Sequence, residues 1–122
     1  MKMNYLLLIA HLEHKKKITI SAVHPSARFG ELKLSGSKVL SFQEKPQLQE
    51  GWINGGFMIL EPSFFNYIES DTMLEREPIE KAVKESEIHA YKHEGFWQCM
   101  DTQRDHQLLE KLWNDDNAPW KK

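Results

Sequence analysis

A single cysteine, Cys99, among 122 residues rules out any internal disulfide and makes a reducing cytoplasm the expected setting. Long apolar runs are missing as well: the best, Tyr5-Leu6-Leu7-Leu8-Ile9-Ala10, is far too short to span a bilayer. It follows Lys2 as in a secretory leader, but no small-x-small cleavage site comes after it, and His11, Glu13 and His14 arrive at once. Charge of one sign is also lacking. The 16 basic and 18 acidic residues leave a formal charge of −2, which gives neither nucleic acid nor an anionic membrane a reason to bind. Repeats, low-complexity tracts and Gly/Ser linkers are absent. So are a Gly-x-Ser-x-Gly nucleophile elbow and a glycine-rich phosphate loop; the one Gly-Gly pair, Gly55-Gly56, sits inside an apolar run.

What remains is an ordinary globular composition, 40% hydrophobic and 28% charged, with enough length for one core. Residues 4–16 read as a helix whose apolar face carries Leu8 and Leu12, broadened by Leu6, Ile9 and Ala10. Lys15-Lys16-Lys17 then complements the helix macrodipole. Residues 18–23 alternate and are β-branched, a strand that stops before His24-Pro25. Residues 30–34 and 38–42 alternate across Ser35-Gly36-Ser37 as a hairpin. Residues 53–60 are apolar on both parities apart from Asn54 and the glycines, as in a strand covered on both faces at the centre of a sheet. Pro62 opens a helix over 62–69, and Pro78 another running to about Ser86. A strand over 88–93 follows. Thr102 and Asp105 then cap a last helix striped with Leu108, Leu109, Leu112 and Trp113. The order is that of an α/β fold with some antiparallel pairing. It opens on a helix where such layers normally open on a strand.

Three strand-end motifs carry chemistry. Glu44-Lys45-Pro46 leaves the hairpin: a lysine there suits a phosphate and a carboxylate suits sugar hydroxyls, while the alternative is a solvated ion pair. Asn54-Gly55-Gly56 offers a carboxamide beside glycines that let a ligand, or another strand, approach closely; a β-bulge explains them equally well. Asp101, after Phe96-Trp97-Gln98-Cys99-Met100, suits Mg²⁺ or serves as a helix-start acid. Glu75-Arg76-Glu77-Pro78 offers carboxylates and a guanidinium to a pocket rim or, as the favoured reading, forms the polar first turn of a helix. His11 and His14 read as a solvated face, Cys99 as a buried small hydrophobe, and His24, His89, His93 and His106 as scattered.

Taken together, residues 18–121 resemble the sugar-phosphate nucleotidyltransferase family, and its cytidylyltransferase members above all. The resemblance rests on Gly-Trp-Ile-Asn-Gly-Gly-Phe at 51–57 and Gly-Phe-Trp-Gln-Cys-Met-Asp-Thr at 95–102. It is supported by Ala27 to Leu32, Phe42 to Pro46, Glu75 to Pro78 and Ala118 to Lys121. It implies an incomplete Rossmann-like (GT-A-like) α/β domain, a mixed sheet flanked by helices that lacks the N-terminal nucleotide-binding strands. The reaction it implies joins CTP and α-D-glucose 1-phosphate, with Mg²⁺, into CDP-glucose and pyrophosphate for bacterial surface polysaccharide such as O-antigen. Lys45 would be the catalytic cation on the sugar phosphate. Glu44, Asn54 and Gly55 would hold the sugar, and Asp101 would be one of two aspartates on the metal.

Family members open on a strand and a Gly-Gly-x-Gly-Thr-Arg type loop that these residues do not contain. Residues 1–122 are therefore expected to be the C-terminal, sugar-phosphate-binding part of a single nucleotidyltransferase domain, truncated at the N-terminus and inactive alone. A split enzyme completed by a second chain, or a non-catalytic sugar-phosphate-binding module, are the alternatives. A homo-oligomer is expected of the full-length family. The expectation on which the others depend is that Lys45, Asn54 and Asp101 face one hollow.

Overall fold

Each predicted strand forms, and the three whose ends are marked by β-branched or apolar boundaries keep their predicted limits. The computed structural model describes residues 2–26, 31–43, 47 and 51–121. Its elements are α1 (Lys2–His14), β1 (Ile18–Val23), β2 (Glu31–Ser35), β3 (Lys38–Gln43), β4 (Ile53–Leu60), a 3₁₀ segment (Pro62–Tyr67), α2 (Glu77–Lys84), β5 (Ile88–His93) and α3 (Gln103–Asn114). They fall into two compact units, Met1–Val23 with Trp52–His93, and His24–Gly51 with Glu94–Lys122. This is the mixed α/β arrangement expected of the sequence.

In the first unit a three-stranded sheet runs β4-β1-β5, with β1 antiparallel to β4 and parallel to β5. The central strand among the described residues is thus β1. The expectation for β4 is overturned: among the described residues it is an edge strand, and Ile53 and Phe57 are 43% and 45% exposed. Its unbroken apolarity suggested two covered faces, but β1 takes the middle while carrying hydroxyls on alternate positions. On one face Ile18 joins Phe64, Tyr67 and Ala82 in the core, flanked by Met58, Leu60 and Ile88 from the three strands. Phe64 is wholly buried and meets Tyr67 edge-on, with centroids 5.6 Å apart. Burying a side chain of that size stabilises by about 2–3 kcal/mol. The segment after Pro62 forms a tight 3₁₀ turn, with Ile68 N–H donating to Phe65 O, rather than the predicted longer helix.

On the other face lies α1, rotated from its predicted orientation. The buried positions are Met3, Leu7 and His11, whereas Leu8 and Leu12 are 44% and 60% exposed. Both sets obey i, i+4 spacing, so periodicity alone could not choose. The choice goes to His11 because the sheet offers it two partners. Its Nδ1 lies 2.7 Å from Thr19 Oγ1 and its Nε2 2.6 Å from Glu61 Oε1. In the neutral ring the carboxylate fixes the proton on Nε2, and the Thr19 hydroxyl donates to Nδ1. His11 is therefore buried, not the solvated residue expected from sequence. His14 stacks flat on His89, with centroids 4.1 Å apart and ring planes 5° from parallel.

The second unit holds the β2–β3 ribbon, whose register slips by one residue near Leu34. Leu32, Leu34, Val39, Leu40 and Phe42 are all more than half exposed. In α3 the predicted cap forms, but the stripe is only partly covered: Leu108 and Trp113 remain 39% and 50% exposed.

Two measurements check this packing. His11→Ala removes the hydrogen-bonding partner that a fully buried threonine hydroxyl has among the described residues and leaves a void, so it should cost about 2–4 kcal/mol in chemical denaturation. Burial first, then the nearby His14 and Lys16, lower the pKa of His89 below its ordinary value. The unfolded chain then takes up this proton more readily than the folded one. Stability should therefore fall as pH drops below about 6.5, and His89→Gln should flatten that slope.

Candidate functional site

Where β1 meets β4, the ladder breaks. Ile20 pairs with Met58 and Ala22 with Asn54, so β4 contains two more residues than β1 between these pairs. Ser21 sits opposite the gap, wholly buried. Its hydroxyl donates to Phe57 O at 2.9 Å and accepts from Phe57 N–H at 3.2 Å, a side chain standing in for a missing backbone partner. Gly55 packs directly on it: a Cβ there would lie 2.8 Å from Ser21 Oγ and 2.9 Å from Val23 Cγ1. Of the two sequence readings of Gly55, close approach by a neighbouring strand accounts for the glycine without any ligand.

Asn54 remains exposed at the start of the bulge. Its Oδ1 accepts from Gly56 N–H at 2.8 Å, an Asx turn that suits the positive φ of Gly56 (+93°). Among the described residues the amide nitrogen makes no hydrogen bond. The carboxamide thus offers an outside partner its amide donors, with one lone pair of Oδ1 already taken by the turn.

In the second unit, the segment before α3 separates two aspartates that the sequence left ambiguous. Asp105 does the capping: its Oδ2 accepts from the N–H groups of Asp101 and Thr102, both at 3.2 Å, while Asp105 N–H donates to Thr102 Oγ1 at 3.1 Å. Burial alone would raise the pKa of the Asp105 carboxyl. The donors from Asp101, Thr102 and Cys99 overcome that and hold it below the usual carboxylate range. Asp101 contributes only its backbone to this arrangement. Its carboxylate is exposed and, among the described residues, makes no hydrogen bond. The helix-start role belongs to Asp105.

Cys99 is half-buried and donates its S–H to Asp105 Oδ2 at 3.7 Å. Burial first, then the charges of Asp105 and Asp101, push its pKa up, so it stays a thiol rather than a nucleophilic thiolate. Gln98 ties the segment together, accepting from Ser26 Oγ and donating to Asp105 Oδ1. Gln47 does the same between the carbonyl of His24 and the N–H of Trp97. His24 itself is bonded to Gly51 O and Glu94, a structural role its scattered position in sequence did not suggest.

Glu44 and Lys45 lie outside the described residues. Asn54 and Gly55 belong to the first unit and Asp101 to the second. Among the described residues no group of three His, Cys, Asp or Glu side chains is disposed to hold a metal ion. A lone exposed carboxylate fits Mg²⁺ only where phosphates and water fill most of the coordination sphere.

Residues 1–115 match the family model described as nucleotidyl transferase. The chain belongs to that family. Glucose-1-phosphate cytidylyltransferase from Salmonella typhi is 46% identical over 112 residues, covering 91% of this chain and 44% of that protein. A Bacillus subtilis protein provisionally given the same name is 34% identical over 117 residues, covering 94% of this chain and 46% of its own length. A crystal structure from Bacillus anthracis, provisionally named a glucose-1-phosphate thymidylyltransferase and solved in complex with sucrose, superposes with a TM-score of 0.56. It does so at 15% identity, over 94% of this chain and 49% of that one, a likeness of fold. The nucleotidyl transferase chain therefore spans about half the length of the relatives it matches. No helix among its described residues is long and apolar enough to cross a membrane.

Sequence reasoning missed Ser21 and His11. A serine and a threonine at the inward positions of an otherwise apolar strand were the available signal, since such hydroxyls need partners once buried. Ser21→Ala, which leaves both polar groups of Phe57 without that partner, should cost about 1–3 kcal/mol. Gly55→Ala should cost a similar amount through overpacking. The double variant should cost less than the sum, because removing Ser21 Oγ clears the tighter of the two close contacts. Strict additivity in a denaturation cycle would contradict this account of the bulge.

Proposed function

We propose that this chain forms the sugar-phosphate side of a glucose-1-phosphate cytidylyltransferase, which converts CTP and α-D-glucose 1-phosphate into CDP-glucose and pyrophosphate. The 46% identity to the Salmonella typhi enzyme over 112 residues, 91% of this chain, carries the reading. The free donors of Asn54 and the carboxylate of Asp101 left outside the helix cap support it. The setting is the cytoplasm, and the product serves surface polysaccharide such as O-antigen.

The chemistry is an in-line displacement. An oxygen of the sugar phosphate forms a bond to the α-phosphorus of CTP, and the bond from that phosphorus to the departing pyrophosphate breaks. No proton need be removed from a phosphate already ionised at neutral pH, so alignment and neutralised charge matter more than a general base. Lys45 neutralises the sugar phosphate. Glu44 accepts hydrogen bonds from hexose hydroxyls, Asn54 donates to a hydroxyl oxygen, and Gly55 keeps the strand close beneath. Asp101 would hold Mg²⁺, which would offset charge on the phosphates. Nucleotide binding needs a glycine-rich loop that these 122 residues do not contain.

The chain alone should release no pyrophosphate from CTP and glucose 1-phosphate. Mixed with the portion of the Salmonella relative outside the match, it should turn both substrates over. Asp101→Asn should cut that turnover by on the order of a hundredfold or more, the scale of losing one preorganised electrostatic contact. A mixture active with mannose 1-phosphate but not with glucose 1-phosphate would overturn the sugar assignment.

A further inference from the structure

Lys92, a residue that no motif singled out, lies in line with Asn54. Ala22 on the central strand pairs with Asn54 on one side and with Lys92 on the other. Directly opposed residues project to the same face of a sheet, so Asn54, Ala22 and Lys92 form one row. Two inter-strand spacings, about 10 Å, separate the ends of the row. Ala22 contributes only a methyl group between them.

The row occupies a distinctive place in the first unit. It lies on the face that carries Ile18, Leu60 and Ile88, but at the opposite end of the strands from the cluster packed by Phe64 and Ala82. The parallel strands β1 and β5 both end there, at Val23 and His93. Ligands in α/β folds bind beyond the carboxyl ends of parallel strands. The ammonium of Lys92 reaches over the end of β1 to the ring of Trp52, 5.6 Å from its centroid. Among the described residues no carboxylate pairs with Lys92. A cation held by an aromatic face, with no carboxylate partner among the described residues and in one row with the Asn54 amide, is equipped to receive an anion.

We propose that Trp52, Asn54 and Lys92 form a subsite for a hexose monophosphate, resting on the cytidylyltransferase reading above. Lys92 supplies a cation to the phosphate dianion. The indole of Trp52 gives the apolar face of the pyranose a wall, and Asn54 donates to a ring hydroxyl. Lys92 is accordingly a substrate-binding residue, and Trp52 both positions its ammonium and contacts the sugar.

Titration of the 122-residue chain with glucose 1-phosphate, followed by amide chemical shifts, tests this down to millimolar affinity. Lys92→Gln should weaken binding about tenfold, the loss expected for one charge-assisted hydrogen bond, and make it less sensitive to salt. Lys92→Arg should keep most of the affinity, and the melting temperature of Lys92→Gln should match that of the unaltered chain. If Lys92→Gln binds as tightly as the unaltered chain while Asn54→Ala binds more weakly, the subsite is overturned and the cytidylyltransferase reading stands. If glucose 1-phosphate shifts no resonance of the unaltered chain, the reading and the subsite fail together.

Discussion

Two hydroxyls on a strand sealed from solvent set the terms for the first unit. Thr19 and Ser21 point to the same side of β1, and neither can stay unbonded there without a penalty of about 1–3 kcal/mol. Thr19 is satisfied by His11, which fixes the roll of α1 against the sheet and draws Glu61 to the helix. Ser21 is satisfied by the backbone of Phe57, which fixes where β4 bulges. The bulge in turn requires glycine at position 55 and leaves Asn54 exposed at its start. The helix docking and the candidate sugar contact both follow from how a polar strand is buried.

Much of the architecture was legible in the sequence because alternation and punctuation are local. β1, β4 and β5 could be bounded from β-branched or apolar runs, and the cap of α3 from the Thr102–Asp105 spacing. Legibility ended where a choice depended on distant partners. Nothing within residues 4–16 says that Leu7 and His11 face the sheet rather than Leu8 and Leu12, since Thr19 and Glu61 decide it. Likewise the apolar run of β4 does not reveal that β1, with two buried hydroxyls, takes the middle of the sheet. Asp101 and Asp105 are both acids at a helix start, and only the hydrogen bonds separate them.

The candidate site was legible through its motifs more than through its geometry. Asn54 was found because a carboxamide beside paired glycines is unusual on an apolar strand, yet the reason for Gly55 turned out to be Ser21. Lys92 was invisible to motif reading. Its significance lies in strand register, which places it in one row with Asn54 although the two are 38 positions apart in the chain (92 − 54).

The division of labour between Asp101 and Asp105 bears on how such a segment can evolve. With the first turn of α3 closed by Asp105, position 101 can exchange its side chain without unravelling the helix behind it. Lineages can thus gain, lose or retune chemistry at that position while the scaffold keeps its foldability.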